Sequence, residues 1–185
     1  MNWKRTLTMV GTLGIVGQAL AVNILTNPGF ETGDMTGWTT TMFTATNNDA
    51  HTGSWSTIDF GNFSVEQSFA PVSGADVDEV SVWVKQPDRS SFFFAFELLY
   101  SDSSVGGGGG FGGTTTTTWT KFDFTSLVDT SKSLSGIRAW GYTSGGTNDV
   151  TWYDDFVVEV DAVPEPASMA VLGFGAIAML RRRKK

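Results

Sequence analysis

Among the residues able to do chemistry, Asp154 and Asp155 stand out because they interrupt a strand-like run, Trp152-Tyr153-Asp154-Asp155-Phe156, rather than a loop. In a regular strand successive side chains alternate, so Asp154 shares a face with Trp152, Phe156, Val158 and Val160. An ionised carboxylate buried among such neighbours is costly without a cation or several donors. Asp154 therefore calls for a cation, a set of backbone N–H groups or Arg138, unless the strand is kinked. The same alternation sends Asp154 and Asp155 to opposite faces. They cannot flank one glycosidic bond as acid and base without a bulge.

Other catalytic chemistry is thinly provided. The chain has no cysteine and one histidine, His51, in the stretch His51-Thr52-Gly53-Ser54-Trp55. Ser54 or Ser56 nearby would still need a positioned acid and an oxyanion hole. The run Gly106 to Gly110 lacks the Gly-Lys-Ser/Thr ending of a phosphate loop and reads as a hairpin loop leading into a threonine-rich strand. The expectation is a protein that is not an enzyme. For ligand binding, Trp83 and Trp119 are the candidate exposed aromatics, since Trp83 alternates with Val80, Val82 and Val84, and Trp119 shares a side with Lys121 and Asp123.

The elements that must position these residues are strands. Val80 to Lys85 alternates with period two, and Phe92, Phe94, Phe96, Leu98 and Tyr100 line one side of a run whose other side includes Ala95 and Glu97. Thr118 to Phe124, Gly136 to Tyr142 and Val150 to Val160 repeat the pattern between turn-forming clusters. No helical stripe interrupts them. One domain of short strands between residues 22 and 162 predicts an all-β antiparallel sandwich or jelly roll.

Both ends differ from this body. Lys4 and Arg5 precede the apolar run Leu7 to Val16 and then Ala19-Leu20-Ala21, the order of a secretory leader over residues 1–21 with cleavage after Ala21. At the other end Val163-Pro164-Glu165-Pro166 precedes the apolar run Ala167 to Leu180 and the basic end Arg181-Arg182-Arg183-Lys184-Lys185. As a helix, residues 167–180 would span ~21 Å against a hydrocarbon core of ~30 Å. The five terminal bases nevertheless fit the positive-inside rule for a short transmembrane helix. Between Val22 and Val163 five bases face eighteen acids. That balance excludes a nucleic-acid backbone binder and suits an exported domain or one that binds cations.

The C-terminal segment resembles the PEP-CTERM sorting tail. The resemblance implies that residues 163–166 are the sorting motif, that the apolar helix is a transient inner-membrane anchor, and that the chain is the substrate of an exosortase-type processing enzyme bound for the envelope or extracellular matrix. The series Asn27-Pro28-Gly29-Phe30-Glu31-Thr32-Gly33, Gly37-Trp38, His51 to Trp55 and Trp152 to Phe156 is similar to the galactose-binding-like jelly rolls, which include carbohydrate-binding modules. By that resemblance, the partner of Asp154 is a structural calcium ion held by Glu31 and Asp154, with Asp155 and the carbonyls near Gly53 as further ligands. The leading expectation is a structural or adhesive exported protein with a calcium-stabilised sandwich. The alternative is a module binding extracellular polysaccharide.

Overall fold

The computed structural model of the chain describes residues 20–59, 61, 63–86, 93–107, 111–112, 117–142 and 150–161. The leader through residue 19, Phe92, most of the glycine-rich run, the Val163-Pro164-Glu165-Pro166 motif, the expected helix at 167–180 and the basic end lie outside the described residues. Among those described, no helix is long and apolar enough to cross a membrane.

Ala21–Ala162 form one compact unit of twelve described strands: β1 (Val22–Asn23), β2 (Thr39–Thr40), β3 (Thr44–Thr46), β4 (Ser56–Asp59), β5 (Ser64–Ser73), β6 (Val77–Lys85), β7 (Phe93–Tyr100), β8 (Val105–Gly106), β9 (Phe111–Gly112), β10 (Thr120–Asp123), β11 (Ser133–Tyr142) and β12 (Thr151–Val160). They build two antiparallel sheets. The first runs β10-β6-β12-β4-β3 with β1 also on β12, and the second runs β2-β5-β11-β7-β8 with β9 also on β7. The all-β sandwich expected from the alternation is the observed fold.

Period-two burial explains the core. Val80, Val82 and Val84 of β6 and Tyr153, Phe156 and Val158 of β12 face inward from the first sheet. Val65 of β5, Phe94, Phe96 and Leu98 of β7, and Leu134, Ile137 and Ala139 of β11 answer from the second. Aromatic rings join the layers: Phe94 meets Tyr153 edge-on at 6.2 Å, and Phe96 stacks on Phe124 at 4.2 Å. Each such pair adds about 1 kcal/mol beyond the area it buries. Among the described residues, the buried core side chains run from Leu25 to Val158.

Two irregularities matter. Pro71, which lacks a backbone donor, falls in the break of the β5–β11 ladder, between the Val72–Leu134 and Ser68–Gly136 pairs, where that donor is not needed. In β12 the register against β6 shifts between Asp154 and Val157, so Asp155 and Phe156 together oppose Val82. Asp155 takes the left-handed conformation there, with φ of 45°. This bulge corrects the strict alternation read from the sequence: Tyr153, not Trp152, joins Phe156 and Val158 in the core, and Asp154 points away from them.

Candidate functional site: an acidic latch and an indole–guanidinium row

The motifs at residues 27–33, 37–38, 51–55 and 152–156 meet in space. Asn27 and Phe30 both adopt left-handed conformations, with φ of 50° and 58°, so the chain turns tightly there and drives the Phe30 ring into the core. Phe30, Trp38 and Phe156 form a triangle of rings with centroids 4.7 to 6.0 Å apart. The carbonyl of Pro28 accepts the Phe156 N–H, and that of Asn27 accepts the Trp38 indole N–H. This joint places Glu31, the 51–55 loop and the bulged end of β12 side by side.

Glu31 accepts the backbone N–H groups of Ser54 and Trp55 at 2.9 Å each. A methyl group added at Gly53, whose φ is 64°, would fall on the Glu31 carboxylate, so the loop needs a glycine there. Asp154, with no exposed surface, accepts N–H bonds from His51 at 2.8 Å, Thr52 at 3.2 Å and Asp155 at 2.8 Å. Asp155 binds His51 Nδ1 at 2.6 Å and accepts the Thr52 hydroxyl at 2.8 Å. The bulge therefore turns two consecutive carboxylates onto one loop. Of the partners open to Asp154 in the sequence, backbone N–H groups are present, whereas Arg138 lies in the other sheet.

Burial, followed by repulsion from Asp155, pushes the Asp154 carboxyl up to about 7 against the opposing pull of its three N–H donors. A position 3.2 Å from Asp155 Oδ1, 3.4 Å from Asp154 Oδ1 and 3.9 Å from Glu31 Cγ lies where a Cβ on Gly29 would stand. The structure thus brings Glu31, Asp154, Asp155 and Gly53 into one neighbourhood. Among the described residues no three acidic or histidine side chains are already arrayed as a metal-binding set.

Trp83 and Trp119 border the same latch. The His51 ring stacks on Trp83 at 3.7 Å and meets Trp119 edge-on at 5.9 Å. The Trp119 indole donates to Asp49 at 3.2 Å, and Asp49 also pairs with Lys85. Both indoles are half-buried and engaged by protein. No triad is assembled around His51 among the described residues: the Thr52 hydroxyl goes to Asp155 and the Ser56 hydroxyl donates to the Asp49 carbonyl.

A second constellation, not singled out in the sequence, lies on the outer face of the second sheet. Arg138, on the central strand β11, sits between Glu66 of β5 and Glu97 of β7 in register. Its Nε donates to Glu97 at 2.6 Å and its Nη1 to Glu66 at 3.4 Å. Trp140, two residues on and on the same face, donates its indole N–H to the same Glu97 oxygen at 2.9 Å, and the guanidinium lies 5.2 Å from its ring centre. Trp140 is flanked in register by the small residues Ser64 and Ala95. Alternation along Gly136 to Tyr142 was the available signal for Arg138 and Trp140; the small flanking residues become visible only with the strand register.

Residues 162–184 match the PEP-CTERM protein-sorting motif. No curated protein matches the chain. Among solved structures, the family 61 module TmCBM61 in complex with β-1,4-galactotriose is similar at TM-score 0.52 and 18% identity, over 76% of this chain and 99% of that one. The CBM22-1 xylan-binding domain of Paenibacillus barcinonensis Xyn10C is similar at TM-score 0.53 and 16% identity, over 74% and 93%. An arabinose-bound MgGH51 α-L-arabinofuranosidase is similar at TM-score 0.53 and 14% identity, over 79% of this chain but 27% of that one. At these identities the likeness establishes the jelly-roll fold. The chain is a β-sandwich that carries a PEP-CTERM sorting motif, the mark of an exported protein sorted to the cell surface.

Proposed function

We propose that this protein is a non-catalytic surface adhesin whose sandwich binds extracellular polysaccharide along the outer face of the second sheet, after exosortase-type processing of its tail releases the membrane anchor. The observation that carries the reading is the Trp140 row. An indole with small neighbours offers an apolar face to a sugar ring, and Glu97, Arg138 and Glu66 beside it form a fixed series of acceptors and donors for hydroxyl groups. Similarity to modules whose structures are described with galactotriose and as xylan-binding supports the same reading. Trp83, stacked on His51, and Trp119, edge-on to His51 and bound through its indole N–H to Asp49, are the second choice for a sugar platform.

The test is retardation of residues 21–162 in native gels cast with xylan, β-1,4-galactan or the polysaccharide of the producing cells. Retardation by one of them, lost about tenfold or more in Trp140→Ala with Tm unchanged, is the expected result. No retardation in any gel removes the polysaccharide reading.

The latch fits a structural calcium ion. Its side-chain donors are hard carboxylate oxygens, and the charge of buried Asp154 is hydrogen-bonded by three N–H groups without being cancelled. Glu31, Asp154 and Asp155, with carbonyls near Gly53, would hold the ion, whose positive charge would offset the repulsion between the two aspartates.

A further inference from the structure

β1 begins at Val22, one residue after the small-x-small triplet Ala19-Leu20-Ala21. Leu20 is 77% exposed and Val22 51%, whereas Leu25 is already in the core. The first ladder contact of the domain therefore starts where a secretory leader would be cut. β1 pairs with the last strand: Val22 faces Val160 and Asn23 faces Glu159, and that register carried one step past the end of the ladder brings Asp161 level with Ala21. The backbone N–H of Asp161 is in turn held by the Asp76 carbonyl at 3.1 Å.

This end of the first sheet is short of positive charge. Asp76, Asp78, Glu79, Glu159 and Asp161 gather there, and Glu79 and Glu159 oppose each other directly across β6 and β12. Like charges in that position destabilise a strand pair. The described base at this end, Lys121, is engaged with Glu79 at 2.8 Å. Hydrolysis of the Ala21–Val22 peptide bond supplies the missing cation. Water adds across the bond, Ala21 leaves as a carboxylate, and Val22 keeps an α-amino group that is protonated near neutral pH.

We propose that Val22 is the first residue of the mature protein and that its new ammonium group is held by the Asp161 carboxylate at the end of β12. The topology also orders the events. The partner of β1 is 138 positions later in the chain, so Val22 and Asn23 stay unpaired, and the bond before them stays open to a leader peptidase, until β12 has been exported. Cleavage comes first and docking of β1 follows. The inference stands apart from the polysaccharide reading.

The test starts with the full chain expressed in an exporting bacterial host and recovered outside the cytoplasm. Its amino-terminal sequence is expected to start at Val22; a start at Asn23 or beyond, or retention of Ala19 to Ala21, overturns the proposal. On the mature protein the pH dependence of selective α-amine acylation then reports the terminus. The expected pKa lies about half a unit above the ordinary value near 8, an acylation rate about threefold slower at pH 7, and Asp161→Asn abolishes the difference. Equal rates in wild type and Asp161→Asn would reject the pairing. Asp161 is exposed and enters the fold through its backbone N–H, so the variant keeps the strand intact.

Discussion

The latch and the Trp140 row both gather carboxylates, yet they settle the charge in opposite ways. In the row, Glu66 and Glu97 share a guanidinium and an indole N–H at the surface, so their charges are met by side chains that remain open to solvent. In the latch, Glu31 and Asp154 are met by backbone N–H groups, which satisfy lone pairs without cancelling net charge. Carboxylates bound by backbone fix a loop, whereas carboxylates bound by side chains present a surface. A side-chain pair can exchange partners for a ligand's hydroxyls, and a backbone latch can do so only by opening the fold.

That contrast breaks first along pH. Asp154 titrates at about 7 in the folded domain, above its ordinary value of 3.8. The folded state then binds the proton more tightly than the unfolded state, so the stabilisation is complete below about pH 4 and is lost as pH rises through 7. The loss amounts to at most about 4 kcal/mol. Thermal unfolding of calcium-free 21–162 between pH 4 and 8 is expected to show Tm falling across that window, and millimolar calcium to reverse the trend at its upper end. A Tm that rises from pH 4 to 7 without metal would show that the latch carries no such penalty.

Next in size is Gly53→Ala, which adds a methyl group against the Glu31 carboxylate at a left-handed position. A cost of about 2 kcal/mol, or roughly 8 °C in Tm, is expected by calorimetry. The smallest effect sharpens the other side of the contrast. Arg138→Met should change stability by less than about 1 kcal/mol, since a solvent-screened pair is lost, while weakening retardation in the polysaccharide gel. A large fall in Tm would make Arg138 a structural residue rather than part of a binding row.

What the sequence made legible follows from what alternation can encode. Strands β6, β7, β11 and β12 could be read because one face of each is apolar. The ten-residue strand β5 could not, since Pro71 and the core-facing Gln67 break its pattern; Gln67 is buried because both ends of its amide bind the Thr26 backbone, at 2.6 and 2.9 Å. The acidic latch was approached through Asp154, although strict alternation gave that residue the wrong neighbours. The Trp140 row depends on which strands lie beside β11, and pairing partners more than 40 positions away leave no local trace.

The bulge at Asp155 divides β12 by parity. Before it, odd-numbered residues enter the core, as Tyr153 does; after it, even-numbered ones do, as Phe156 and Val158 do. Removing one residue there would restore a uniform rhythm. The core set would survive, since Tyr153, Asp154 and then Phe156 would alternate regularly against Val84, Trp83 and Val82; the loss would fall on the 51–55 loop, which would give up the Asp155 contacts to His51 and Thr52.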